Sequence, residues 1–168
     1  MFAMENAIPE VVREVHELFS ERKLTVSAAE SCTGGLVCHY LTYMPGSSLF
    51  FRAGIVAYSN ESKKEMLGIR DDILGTYGAV SEECAMEMAE RARLVFNTDY
   101  SVATTGNLGP DAFEGKEKGL VYIAVGKANE TFTKRLKLAG GREENKERTA
   151  LEALRFLAEM IRAEAVFG

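Results

Sequence analysis

Apolar runs of strand length alternate with segments of helical spacing through the first hundred residues, and this alternation restricts the fold more than any single residue does. Segments 24–29, 50–58 and 100–104 are short, apolar and β-prone. Ahead of the first, Val11, Val12, Val15, Leu18 and Phe19 recur at helical spacing behind Pro9, a residue suited to a first helical turn. The pattern places a second helix over 32–43, after which Pro45-Gly46-Ser47-Ser48 is a turn. A short helix is opened by Ser59 or Asn60 and ended near Gly68. Asp71-Asp72 reads as a solvated loop or a cap, and 75–79 as a loop. Ser81, with Glu82 and Glu83 behind it, caps a helix running to about Phe96. Segments 120–125 and 131–138 read as neighbouring strands joined near Ala128-Asn129-Glu130, and a last helix covers about 143–163. The pattern predicts a three-layer α/β/α sandwich around a mixed, mostly parallel sheet of about five strands.

The chain's 168 residues fit a single domain, and a chain of that length buries roughly 70% of its unfolded surface without disulfide or metal staples. A net charge of −5 argues against a nucleic-acid partner held by a broad basic face. Cys32, Cys38 and Cys84 show no C-x-x-C spacing, so neither a disulfide framework nor a zinc site is indicated, and a reducing compartment is expected. The opening Met1-Phe2-Ala3-Met4-Glu5-Asn6 lacks the basic and apolar regions of a signal peptide, and no apolar run has the length of a membrane span. The expectation is a cytoplasmic protein with no membrane partner.

Chemistry concentrates where the first strand gives way to the second helix, in Ala29-Glu30-Ser31-Cys32-Thr33-Gly34-Gly35. A serine there sits near unpaired backbone N–H groups, which favour a developing oxyanion. Serine also needs a base. His39, eight residues further along a continuous helix, would lie roughly 12 Å away, and His16 reaches Ser31 only by an unusual packing of the first helix. The G-x-S-x-G elbow is absent. A Cys32–His39 pair fails on the same distance argument, and a small cysteine at a helix start is common packing.

Lysine can serve as the base when burial lowers its pKa. Tyr58 ends a strand and Lys63 lies one turn inside the next helix, so parallel strands would bring Ser31, Tyr58 and Lys63 to one rim. On spacing alone the favoured reading is an amphipathic surface helix with Lys63 and Lys64 in water. Metal chemistry is poorly supported, with no H-E-x-x-H motif, and no phosphate-binding or dinucleotide glycine motif is present. The polar stretch 106–118 is long enough for a functional loop.

Five segments in order resemble one family. These are 29–35, Pro45-Gly46-Ser47-Ser48, Ala57-Tyr58-Ser59-Asn60-Glu61-Ser62-Lys63, Gly78-Ala79-Val80-Ser81-Glu82 and Thr105-Gly106-Asn107-Leu108-Gly109-Pro110. Over about residues 8–162 the chain resembles the CinA C-terminal domain family, whose members hydrolyse the carboxamide of nicotinamide mononucleotide to nicotinate mononucleotide and ammonia. The resemblance implies Ser31 as nucleophile, Lys63 as base and Tyr58 as a hydroxyl that relays or orients the proton. It implies a pocket using Cys32, Thr33, Gly34, Gly35, Thr105, Gly106 and Asn107, no metal or organic cofactor, a small-molecule pyridine nucleotide as partner, and self-association. Gly140-Gly141-Arg142 resembles a Gly-x-Arg turn of the family, and Arg142 reads either as a phosphate ligand or as an exposed loop residue.

The chain departs from the family pattern in the long loop. Gly109-Pro110-Asp111-Ala112-Phe113 stands for Gly-Pro-x-Gly-Gly, and Lys116-Glu117-Lys118-Gly119 for Lys-Pro-x-Gly, with the loop one residue shorter. These changes leave open a non-catalytic nucleotide-binding or interaction module, or an amidase of another small carboxamide.

Overall fold

The computed structural model describes residues 8–164, so the opening hexapeptide read above lies outside the described residues. Strands β1 (Val26–Glu30), β2 (Phe51–Val56), β3 (Tyr100–Gly106), β4 (Leu120–Lys127) and β5 (Glu130–Lys137) form one sheet in the order β2-β1-β3-β4-β5. β1 pairs in parallel with β2 on one side and β3 on the other. β4 runs antiparallel between β3 and β5. Four strands therefore share a direction that β4 opposes, which is the mixed, mostly parallel sheet anticipated from the sequence.

Side-chain alternation sends each strand's residues to two different layers. Val26, Ala28, Val102, Ile123 and Val125 face helices α1 (Glu10–Arg22), α2 (Leu36–Leu41) and α6 (Arg142–Glu164), where Val15, Phe19, Leu154 and Leu157 complete the larger core. Ala29, Ala103 and Ala124 face α3 (Asn60–Leu67), α4 (Asp71–Tyr77) and α5 (Glu82–Phe96). The small strand residues meet Ala85, Met88, Ala89 and Ala92 of α5, and the absence of bulk there lets α5 lie close over the centre of the sheet.

Two segments differ from the sequence expectation. The helix placed over 32–43 is shorter, because Gly34 and Gly35 adopt left-handed backbone (φ 56° and 102°) and hold 32–35 in a turn before α2 begins at Leu36. Residues 71–77, read as cap and loop, form α4, which buries Ile73 and Leu74 and carries Asp71 and Asp72 in its first turn. Burial of that apolar pair outweighs Gly75, whose helix penalty is only about 1 kcal/mol. The caps of α3 and α5 are as expected. Ser59 accepts from the Ser62 N–H and Ser81 from the Cys84 N–H, and Gly68 closes α3 in left-handed conformation. Among the described residues no helix is long and apolar enough to cross a membrane.

Candidate active site

β1, β2 and β3 are parallel, so their carboxyl ends open onto one rim. A cavity of about 520 Å³ lies there, bounded by Ser31 and Cys32, by Tyr58 and the start of α3, by Thr105–Gly109 and by the 110–113 loop.

Ser31 follows the last residue of β1, and its N–H donates to the Thr104 carbonyl at 3.0 Å, extending the parallel ladder by one step. Alternation along the strand sends Ser31 toward the α3–α5 layer. There Lys63 Nζ stands 2.9 Å from Ser31 Oγ. The same nitrogen donates to the main-chain carbonyls of Ala57 at 2.9 Å and Tyr58 at 3.2 Å. A neutral amine has two N–H groups and one lone pair. The two carbonyls occupy the donors, which leaves the lone pair for the Ser31 proton.

Lys63 is 1% exposed, and burial pushes its amine below the ordinary 10.5. Cys32 and Cys84 lie close enough to oppose that shift if ionised, but burial pushes both thiols up to about 12, so neither carries charge near neutrality. Glu114 is the charged group that still favours the lysine proton. The protonated Cys32 thiol is likewise no candidate nucleophile.

The turn after Ser31 leaves main-chain donors unclaimed. Gly34 N–H donates to the Ser31 carbonyl at 3.1 Å, and Gly35 N–H to a Glu30 carboxylate oxygen at 3.0 Å. Among the described residues, the N–H groups of Cys32 and Thr33 have no acceptor. Cys32 lines the cavity beside Ser31. Thr33, Gly34 and Gly35 do not line it. Thr33 is buried with its hydroxyl on Glu30 and Thr104, and the two glycines shape the turn.

The remaining expected residues divide by what their polar atoms already hold. Tyr58 reaches Lys63 through its carbonyl, whereas its phenol, on a side chain 57% exposed, accepts from Arg142 at 2.9 Å. Arg142 also donates to the Gly109 carbonyl at 2.7 Å, so its guanidinium spans the cavity mouth. Thr105 and Asn107 are at the cavity wall, but both side chains are engaged by the protein. The Thr105 hydroxyl donates to Ala79, while Asn107 donates to the carbonyls of Asp111 and Lys116 and accepts from Gly109 N–H. Gly106 lines the cavity, and a side chain there would strike Val121 and the Leu120 carbonyl. His16 bonds the Pro45 carbonyl and His39 packs against Tyr40 and Tyr43, so neither approaches Ser31.

The altered loop has a local structure of its own. Phe113 and Lys116 exchange main-chain hydrogen bonds around Glu114 and Gly115, both at positive φ, which makes a tight two-residue hairpin. Glu114 is strained in that conformation, and its carboxylate is held by the N–H groups of Ala79 at 2.9 Å and Val80 at 3.3 Å. Phe113 is thereby fixed at the cavity edge.

Several participants carry no sequence motif. The Ala57 carbonyl is a main-chain group, invisible to residue type. Asn145, fully buried on α6, donates to the carbonyls of Leu108 and Gly140 and accepts from Gly140 N–H, joining the Arg142 turn to the cavity loop. Glu30 lies inside the 29–35 motif, where the resemblance assigns it no role; its own signal is an acidic residue closing an otherwise apolar strand.

Comparisons with known proteins agree on the family. The family model for the CinA C-terminal domain matches residues 9–161. A CinA-like protein of Fervidobacterium nodosum is 43% identical over 144 residues, which is 85% of this chain but 35% of that protein. The chain thus spans about a third of the length of the curated relatives it matches. Among solved structures, the competence damage-inducible protein A of Klebsiella pneumoniae superposes with a TM-score of 0.88 at 32% identity, covering 92% of this chain and 96% of that one. The competence/damage inducible protein CihA of Agrobacterium tumefaciens gives 0.86 at 36% identity, covering 94% and 97%.

Proposed function

This chain belongs to the CinA C-terminal domain family, and we propose that it is a serine amidase hydrolysing the carboxamide of nicotinamide mononucleotide. The observation that carries this reading is the Ser31–Lys63 contact, a buried amine 2.9 Å from the hydroxyl whose other two contacts are main-chain carbonyls.

In this reading Lys63 takes the Ser31 proton as Oγ attacks the amide carbon, and the former carbonyl oxygen becomes an oxyanion. The unclaimed Cys32 N–H, on the residue of the turn that lines the cavity, supports that charge. Collapse of the tetrahedral intermediate breaks the C–N bond, and the Lys63 proton passes to the nitrogen, which leaves as ammonia. Water then attacks the Ser31 ester and gives its proton to Lys63. Lys63 returns that proton to Oγ as the nicotinate product leaves.

Substrate choice rests on the mouth. Arg142 offers a planar cation to the nucleotide phosphate across the cavity from Ser31. Tyr58 and Phe113 supply aromatic walls beside the pyridine ring. The test is to incubate the purified protein and its Ser31→Ala variant with nicotinamide mononucleotide and measure ammonia. Release by the wild type and none by the variant is the expected result. Equal release by both excludes Ser31, and tight nucleotide binding with no release by either replaces the amidase with a binding module.

A further inference from the structure

Strand alternation places Glu30 and Ser31 back to back, the hydroxyl facing Lys63 and the carboxylate facing α2. Glu30 is fully buried, and no Lys, Arg or His lies within ion-pair distance of it among the described residues. Its charge is met by four donors from the segment that follows the nucleophile. Oε2 accepts from Thr33 Oγ1 at 2.5 Å, Gly35 N–H at 3.0 Å and Val37 N–H at 3.1 Å. Oε1 accepts from Cys38 N–H at 2.7 Å. Residues 31–38 therefore wrap around a single carboxylate. Thr33 Oγ1 extends the arrangement to Thr104 Oγ1 at 2.7 Å, on the strand whose carbonyl holds Ser31 N–H.

A buried anion without a cation is costly unless its hydrogen bonds are complete, and a less expensive apolar residue would serve if packing were the only requirement. What the carboxylate achieves is geometric. It gathers the donors of Gly35, Val37 and Cys38 to the far side of the turn. The turn's two remaining N–H groups, on Cys32 and Thr33, are left without acceptors next to Ser31.

We infer that Glu30 is a positioning residue for the nucleophile turn: its carboxylate fixes the Ser31–Gly34 segment so that the Cys32 N–H stays directed at the oxyanion. The inference rests on the amidase reading for its substrate but not for its readout, because any electrophile that adds to Ser31 must pass through the same site. A residue acting in this way changes the rate of the covalent step and leaves substrate binding nearly intact, since Arg142 and the loop walls are supported by other elements.

The experiment compares wild type, Glu30→Gln and Thr33→Val. It measures melting temperature, the rate at which a fluorophosphonate probe labels Ser31 by intact mass spectrometry, and kcat and KM for nicotinamide mononucleotide. In the labelling step Ser31 Oγ forms a bond to phosphorus, fluoride leaves, and the serine proton passes to Lys63. Glu30→Gln is expected to slow both labelling and kcat by about 10- to 100-fold, the loss associated with a misplaced oxyanion donor, with KM changed by less than about threefold. Thr33→Val removes one of the four donors and is expected to slow both by about three- to tenfold. A purely structural role would lower the melting temperature and the folded fraction without slowing the labelling of folded protein. Labelling and kcat within threefold of wild type in Glu30→Gln would overturn the inference, as would a raised KM with unchanged kcat. Should Glu30→Gln not fold, Thr33→Val decides the matter alone. Wild type that labels at Ser31 but releases no ammonia refutes the amidase reading while the labelling rates still decide Glu30. Wild type that does neither refutes both.

Discussion

Lys63 Nζ lies 2.9 Å from Ser31 Oγ although 32 residues separate them, and no third side chain is needed to hold the amine there. Its two other contacts are carbonyls of its own approach segment, at Ala57 and Tyr58. The Lys63 amine is thus oriented by main chain, whereas a histidine base is commonly oriented by a carboxylate.

Activity should follow the proton on Lys63. Because burial lowers its pKa from 10.5, kcat/KM is expected to rise with pH along a limb centred below that value, as the amine loses its proton. Lys63→Arg keeps a cation that does not deprotonate, and should reduce kcat by about 100-fold or more at every accessible pH. A pH–rate profile of both proteins checks this, and an unchanged profile in the variant removes Lys63 from the reaction.

The same burial links folding stability to pH. Between the lowered folded pKa and 10.5, the unfolded chain binds a proton that the folded chain does not, so the Lys63 contribution to stability becomes more favourable as pH rises through that window. The difference in melting temperature between wild type and Lys63→Met should therefore shift toward wild type with increasing pH. A difference independent of pH would mean that Lys63 titrates as it does in the unfolded chain.

Tyr58 and Arg142 should act on binding. The phenol accepts from Arg142 and makes no hydrogen bond to Ser31 or Lys63, so Tyr58→Phe is expected to change kcat by less than about threefold. A hydroxyl that carried the proton would cost about 100-fold or more. Arg142→Ala should raise KM for nicotinamide mononucleotide by about tenfold while leaving nicotinamide riboside, which has no phosphate, nearly unaffected. Equal effects on the two substrates would separate Arg142 from the phosphate.

Asn145 should prove a stability residue that also shapes the mouth. Asn145→Ala leaves the Leu108 carbonyl and both polar groups of Gly140 without their partner, and is expected to destabilise the fold by about 3 kcal/mol in denaturant titration. Because the Arg142 turn loses its anchor, KM should rise with kcat less affected. A loss under 1 kcal/mol would mean that water replaces the amide (about the net worth of one ordinary hydrogen bond).

The sequence by itself determined the layered architecture, because short apolar, β-prone runs at 24–29 and 100–104 and helical spacing in 11–19 and 143–163 are local properties of the chain. It also marked Ser31, Lys63 and the glycines as one constellation through the order of five motifs. Local pattern misjudged 32–35 and 71–77, where left-handed glycines stopped one helix and burial of Ile73 and Leu74 made another. Only the tertiary structure decided between a solvated and a buried Lys63, because that choice depends on where α3 lies relative to β1. It alone moved the Tyr58 hydroxyl onto Arg142, turned Asn107 inward to its own loop and gathered four donors around Glu30. The physical reason is that a polar side chain's role follows from which partners reach it after packing, and those partners are main-chain groups and distant residues that composition and spacing do not encode.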